Sequence, residues 1–281
     1  MNCRERHAIY QSNNIRDILK YCTYNTWILF DLDNTVCEPI QDLGSDQWFT
    51  SFFEYAATVT LDKAEAFSLV ITVYDAVQQH VSHRAVEPGI VRLIYLLQEA
   101  GVPVLGLTAR SNRITERTLQ QLGEIGIDFS RYWGKAHIDL SVEGKQTPVF
   151  HNGIIFCDGL DKGKCFKSFS DYIDFFPPAV VMADDKEKHL HAVNKVVENA
   201  GGSFVGLRYG YLDEKAAGLD LSRATVELTN ISHLLPEGAR EAIAKLKVSS
   251  SVLVSNSLFS HTETVSDQDC APSSLYFSSR Q

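Results

Sequence analysis

The chain has 281 residues, 44% hydrophobic and 22% charged, with 35 acidic against 26 basic side chains and a formal charge of −9. That balance excludes a protein that grips a nucleic-acid backbone, which needs a basic footprint to displace counterions. The longest apolar runs, Trp27–Leu32 and Ala66–Tyr74, fall well short of the ~18 residues of a membrane span. No apolar h-region follows residues 1–7, so a cytoplasmic location is expected. The six cysteines contain no C-x-x-C pair, so zinc and thioredoxin-type chemistry find no support in them, and reduced thiols are the expectation.

In chain order, Ile15, Ile18, Leu19 and Cys22 recur at helical intervals and predict a short amphipathic helix over 13–22. Trp27-Ile28-Leu29-Phe30 is a continuous apolar run suited to a strand buried on both faces, as in a parallel sheet. Over 36–87, aromatic residues crowd a segment of helical spacing, read as two or three helices forming a small insert. Strands and helices then alternate. A helix is predicted over 88–100, with Pro88 near its start and Gly101 just past its end. A strand follows at 102–107, then a helix capped by Ser111. Residues 137–157 read as extended, with turns near 143–145 and at Asn152-Gly153, the latter a strong hairpin signal. A helix over 163–175 stops before Pro177-Pro178. A buried strand at 179–183, a helix over 186–200, strands at 203–207 and 225–228, and a last helix over 236–247 complete the pattern. Such alternation predicts an α/β fold with a Rossmann-like, mainly parallel sheet. The expected organisation is an α/β core from 1–35 and 88–247, a helical cap insert at 36–87, and a flexible tail at 248–281. The tail holds eleven serines in 34 positions and no lysine, too little apolar surface to offset its ordering entropy.

Ligands of an open parallel sheet bind beyond the carboxyl ends of its strands. Three predicted strands end on Asp31-Leu32-Asp33-Asn34-Thr35, on Thr108-Ala109-Arg110, and on Asp184-Asp185; Lys162-Gly163 stands at a helix start. Four clustered carboxylates repel one another unless a cation sits among them. An all-oxygen set suits magnesium, which also accepts substrate phosphate. Thr108 and Lys162 then fit as donors to phosphate oxygens. Asp31 is a candidate nucleophile for an aspartyl-phosphate, and Asp33 is placed to protonate the leaving oxygen and later activate water. Environments that push the two pKa values apart are the expected basis for that division.

Asp31-Leu32-Asp33-Asn34-Thr35 resembles motif I of the haloacid dehalogenase superfamily in its phosphatase branch. Thr108 resembles the motif II threonine, Lys162 the motif III lysine, and Asp184-Asp185 the acidic motif IV; the matches run in family order over about 27–190. The resemblance implies a magnesium-dependent phosphomonoesterase. In it Asp31 is nucleophile and Asp33 acid/base, Thr108 and Lys162 hold phosphoryl oxygens, and Asp31, Asp33 (through its carbonyl), Asp184 and Asp185 form the metal site. The insert directly after motif I implies a C1-type cap. The resemblance leaves the substrate open between phosphotyrosine or phosphoprotein and a small metabolite or nucleotide, and a catalytically silent binding or effector protein is the alternative class.

Several residues carry more than one reading. An EF-hand wants Gly and Glu where this chain has Val36 and Asp42. Lys164 rivals Lys162, which is favoured because it directly precedes the glycine. Arg110 either grips a substrate group or pairs with a surface acid. His189 and His191, two apart on a helix, diverge too far for a metal pair. Cys37 reads as inert packing, and the cap aromatics as core before substrate platform. Leu275, Tyr276 and Phe277 near the end of the Ser-rich tail resemble a C-terminal export signal of bacterial type IV effectors, implying translocation into a host cell; a plain disordered tail is the other reading.

Overall fold

A computed structural model describes residues 7–144 and 146–246; the Ser-rich segment 248–281 and its export-signal reading lie outside the described residues. The strands are β1 (His7–Ser12), β2 (Thr26–Phe30), β3 (Cys37–Pro39), β4 (His83–Ala85), β5 (Val104–Thr108), β6 (His137–Asp139), β7 (Val149–His151), β8 (Ile154–Phe156), β9 (Ala179–Asp184) and β10 (Ser203–Tyr209). The α-helices are α1 (Asp46–Val59), α2 (Lys63–Gln78), α3 (Ile90–Glu99), α4 (Thr115–Glu124), α5 (Ser130–Trp133), α6 (Lys162–Tyr172), α7 (Glu187–Asn199), α8 (Asp213–Ala217), α9 (Leu221–Ile231) and α10 (Glu237–Lys245).

Every residue of β2 is buried, and its side chains alternate between two apolar layers. Ile28 and Phe30 pack with Ile90, Ile94, Leu97 and Leu122 from α3 and α4. Trp27 and Leu29 pack with Phe166, Phe169, Leu190 and Val193 from α6 and α7 on the other face. Helices on both faces are what make the strand's continuous apolar run stable. The eight-stranded sheet runs β1-β10-β9-β2-β5-β8-β7-β6, parallel from β1 through β8 and antiparallel in its last two pairings. It is a Rossmann-like, mainly parallel α/β sheet. The Asn152-Gly153 turn joins β7 to β8 with φ of 49° and 85°. A side chain at Gly153 would lie 2.2 Å from the Phe129 carbonyl oxygen, so this position demands glycine on two counts.

Three local expectations change. Residues 225–228, read as a strand, lie inside α9. Asp220 caps that helix by accepting from the Ser222 and Arg223 amides, and Ala224, Thr225 and Leu228 bury one helical face; the cap and that spacing override β-branched Thr225 and Val226. Residues 13–22 hold a 3-10 helix, Ile15–Lys20, instead of an α-helix, with only Ile15 and Ile18 buried. The sheet also begins earlier than the sequence suggests: among the described residues β1 is an edge strand pairing only β10, with a half-buried pattern that gives no apolar run.

Within 36–87, α1 and α2 stand on a small antiparallel ladder in which Cys37–Pro39 pairs His83–Ala85. Trp48, Phe52, Tyr55, Val70, Val73 and Val77 form one apolar cluster with Ala224 and Leu228 of α9 and Ala239 and Ala242 of α10. Tyr55 donates its hydroxyl to the Leu246 carbonyl at 2.8 Å. The helices after the last strand therefore complete the core of the insert, far from it in sequence. Trp48, Phe52, Tyr55 and Tyr74 are buried, whereas Phe49, Phe53 and Phe67 are half-buried. Among the described residues, no helix is long and apolar enough to cross a membrane.

Candidate active site

Strands β2, β5 and β9 are neighbours at the centre of the sheet, so the loops after them converge at one edge. Following β2 the chain turns sharply: the Leu32 carbonyl accepts from the amides of Val36 and Cys37, each at 2.9 Å, and Asn34 takes a left-handed φ of 60°, which asparagine tolerates. The Asp31 amide donates to the Ala183 carbonyl at 3.0 Å, fastening this loop to β9. Asp31, Thr35, Thr108, Lys162 and Asp184 are all buried.

Lys162 opens α6 and donates through Nζ to Asp31 Oδ1 at 2.6 Å and Asp184 Oδ2 at 2.7 Å. Its approach depends on the next residue: a Cβ at Gly163 would sit 2.3 Å from the Ala192 carbonyl oxygen, so glycine lets α6 lie directly against α7. Lys164 is exposed, leaving Lys162 as the lysine in the cleft. Asp184 Oδ1 accepts from the Lys186 amide at 2.8 Å and lies 3.1 Å from His189 Nδ1. Asp185 Oδ2 accepts from Asn34 Nδ2 at 3.1 Å. Carboxylate oxygens of Asp31, Asp184 and Asp185 lie within 4.8 Å of one another. Three carboxylates thus face one ammonium, because Lys186 spends its own charge on Asp46 of α1, 2.7 Å away. Burial and the charge of Asp184 push Asp31 well above the usual carboxylate range, against the pull of Lys162. Burial and Asp184 push Asp185 up to about 7. Burial would raise Asp184 too, but Lys162 and His189 hold it down at about 2. The excess negative charge, the all-oxygen donors and their spacing fit a divalent hard cation.

Asp33 has a different partner. Arg110 clamps it bidentately, Nε to Oδ2 at 2.9 Å and Nη2 to Oδ1 at 2.8 Å. Despite burial, the guanidinium holds Asp33 below its ordinary value. Arg110 is itself buried, so the reading of a pair with a surface acid is corrected: the acid is the candidate catalytic carboxylate two residues after Asp31. Nη1 also donates to Thr118 at 3.1 Å and Gln121 at 2.7 Å, and Nη2 lies 3.0 Å from His83 Nε2. Burial and Arg110 depress His83 to about 3. Gln121 Nε2 donates to the Gln78 carbonyl at 3.1 Å, and Gln78 Nε2 donates to the Gly44 carbonyl at 2.8 Å. A buried polar chain therefore runs from Asp33 to both ends of the insert. Thr108 Oγ1 accepts from the Arg110 amide at 3.1 Å, fixing the turn after β5.

The structure thus brings together Asp31, Asp33, Thr108, Lys162, Asp184 and Asp185. Sequence reasoning missed the companions His83, Gln121 and Lys186, which carry no motif; Asn34 lay within the quoted Asp31–Thr35 motif without an assigned role, His189 was weighed only as half of a metal pair, and Arg110 was noted beside Thr108. His189 and His191 diverge, the first toward Asp184 and the second to Glu187 at 3.2 Å. Cys37 is fully enclosed, and burial pushes its thiol up to about 12. The four described cysteines, Cys22, Cys37, Cys157 and Cys165, are free thiols.

Fold and cleft define a doubly wound α/β protein with a buried carboxylate site at the carboxyl ends of its central strands. The chain belongs to the family described as "Protein of unknown function (DUF2608)", whose pattern matches residues 9–240. It is similar to a Chlamydia trachomatis protein named "Putative outer membrane protein", 23% identical over 193 residues, covering 69% of this chain and 72% of that one. Among solved structures it is similar to a hydrolase from Pseudomonas syringae, 15% identical over 69% of this chain and 99% of that one, with a TM-score of 0.39. It is also similar to a haloacid dehalogenase-like family hydrolase from Streptococcus pneumoniae, 14% identical over 69% and 98%, with a TM-score of 0.40.

Proposed function

We propose that the protein is a magnesium-dependent phosphomonoester hydrolase of haloacid dehalogenase type, working through an aspartyl-phosphate. The observation that carries the reading is the pair Asp31 and Asp33, two residues apart on one strand end and held by different cations, Lys162 and Arg110. Asp31 attacks phosphorus, forming a carboxylate–phosphorus bond as the ester oxygen departs with a proton delivered by Asp33. Water then donates a proton back to Asp33 while its oxygen attacks phosphorus, breaking the bond to Asp31 and releasing inorganic phosphate. In the free protein the two carboxyl groups are set opposite to these roles, Asp31 raised and Asp33 lowered; a cation held beside Asp31 would bring it down into its nucleophilic form, and Asp33 takes up its proton once one oxygen turns away from Arg110. Thr108 and Lys162 hold the transferring oxygens, and positioned charge of this kind supplies most of the acceleration in phosphoryl transfer. Asp31, the Asp33 carbonyl, Asp184 and Asp185 would hold magnesium, which when bound offsets the charge of the carboxylates and the phosphate. The insert at 36–87 acts as a cap over the α/β core.

The reading leaves the substrate between an aryl phosphate, such as phosphotyrosine, and a small aliphatic phosphomonoester; Tyr74 of α2 packs against Trp48 and Phe49 inside the insert and does not choose between them. The test is phosphate release from p-nitrophenyl phosphate, a phosphotyrosine peptide and a panel of sugar and nucleoside monophosphates, with and without Mg2+. Mg2+-dependent release that is lost in Asp31→Asn supports the reading. No release from any of them, or unchanged release in Asp31→Asn, overturns it.

A further inference from the structure

A second cluster of ionisable side chains stands at the edge of the sheet, on strands that take no part in the carboxylate cleft. In the antiparallel β6–β7 ladder His137 is paired with His151. Their rings meet edge-to-face with centroids 5.2 Å apart, and the two Nδ1 atoms are separated by 3.0 Å. The outer nitrogens both face acids: His151 Nε2 lies 3.1 Å from Glu116 Oε1 at the start of α4, and His137 Nε2 lies 3.4 Å from Asp139 Oδ1. A carboxylate only accepts, so it favours the tautomer with the proton on Nε2. The Asn152 amide nitrogen also approaches His151 Nε2, but at the longer distance of 3.3 Å. With one proton between them the two Nδ1 atoms form a hydrogen bond; with both protons outward their lone pairs converge across 3.0 Å, and a cation can take the proton's place.

We propose that His137 and His151 form a bidentate site for a divalent late-transition ion of the zinc class. With metal–nitrogen bonds of about 2.0–2.1 Å, nitrogens 3.0 Å apart subtend an angle of about 91–97° at the metal, close to the octahedral angle and narrower than the tetrahedral one. Imidazole suits zinc, nickel or copper and not magnesium, which takes oxygen ligands, so this site and the aspartate cleft select different ions. Glu116 and Asp139 play the part that carboxylates play behind metal-bound histidines: they fix the tautomer, orient the ring and balance the ion's charge. The ladder register and the Asn152-Gly153 turn hold the two rings in place before any ion arrives. Among the described residues β6 pairs on one side only, and the His137 side chain is 54% exposed. The remaining coordination positions therefore open to water or to a donor from outside the molecule.

The experiment is calorimetric titration of tag-free full-length protein with ZnCl2 in excess MgCl2, repeated for His137→Gln, His151→Ala and Glu116→Gln. His137→Gln changes an exposed side chain at the sheet edge and keeps the site testable if His151→Ala perturbs folding; thermal melts of both provide the folding control. The proposal expects the wild type to bind one zinc ion that each histidine variant loses, with affinity about tenfold weaker in Glu116→Gln. It is overturned if the wild type takes up no zinc, or if His137→Gln, folded like the wild type, binds zinc with unchanged stoichiometry and affinity.

Discussion

Asp31 and Asp33 are separated by one residue yet live in opposite electrostatic settings. Asp31 faces two further acids and shares the Lys162 ammonium with Asp184. Asp33 has a guanidinium to itself, bound through both oxygens. Burial raises the first well above the ordinary range and fails to raise the second. The mechanical settings differ as well. Lys162 and Asp184 belong to the α/β layers, whereas Arg110 continues through Gln121 and Gln78 to the two ends of the insert. Identical side chains two positions apart are thus held in opposite settings by their partners, and Asp33 is tied through buried polar groups to residues 36–87.

The comparison can be broken in several ways. The largest effect is on turnover: Asp31→Asn removes the nucleophile and should lower phosphate release by about 10⁴-fold or more, measured with p-nitrophenyl phosphate in Mg2+. Next is stability without metal, where the two carboxylates should respond in opposite directions. Asp33→Asn leaves the buried Arg110 charge unpaired and should cost about 3–5 kcal/mol in urea unfolding. Asp31→Asn should leave stability unchanged or raise it at pH 7. An acid whose folded-state pKa is raised loses stability as pH climbs from its unfolded value through the folded one, so an ionised Asp31 is a burden at neutral pH. Equal destabilisation by both variants would contradict the contrast.

A smaller effect lies in His83, whose folded-state value of about 3 sits below the ordinary 6.5. Between those values the unfolded chain binds a proton that the folded one refuses, so stability should drop as pH is lowered, by up to about 1.4 kcal/mol per unit. His83→Gln should flatten that stretch of the unfolding profile. The smallest effect belongs to the half-exposed pair Lys186–Asp46, which joins the loop after Asp185 to the first turn of α1. Asp46→Asn should cost about 0.2–1 kcal/mol, and its sensitivity to salt distinguishes it from the buried pairs.

What was legible in the sequence were the elements whose signal is local. Trp27–Phe30 and Ala179–Ala183 are continuous apolar runs, so the acids that follow them, Asp31, Asp33, Asp184 and Asp185, could be placed at strand ends. Asn152-Gly153 declared its turn through the φ it permits, and Gly163 singled out Lys162 over Lys164 as the lysine before the glycine. Features that depend on distant partners were not legible. Arg110 left two readings open because Asp33 lies 77 positions away in the chain. The Thr225–Leu228 segment looked like a strand because its apolar face is explained only by Trp48, Phe52 and Val70 of the insert. Among the described residues β1 has one neighbour, and it has no continuous apolar pattern to announce it. His137 and His151 became a pair only through the register of β6 on β7.

The central claim, that Asp31 becomes covalently phosphorylated, is tested most directly by trapping the intermediate. The protein, wild type or Asp33→Asn, would be mixed with an aryl phosphate and Mg2+, quenched in acid and analysed by peptide mass spectrometry. The account predicts one added phosphoryl group on the peptide containing Asp31, with higher occupancy in Asp33→Asn because its water-activating carboxylate is gone. Phosphate release with no phosphoryl group on Asp31 in either protein, or with the label on another residue, would contradict it.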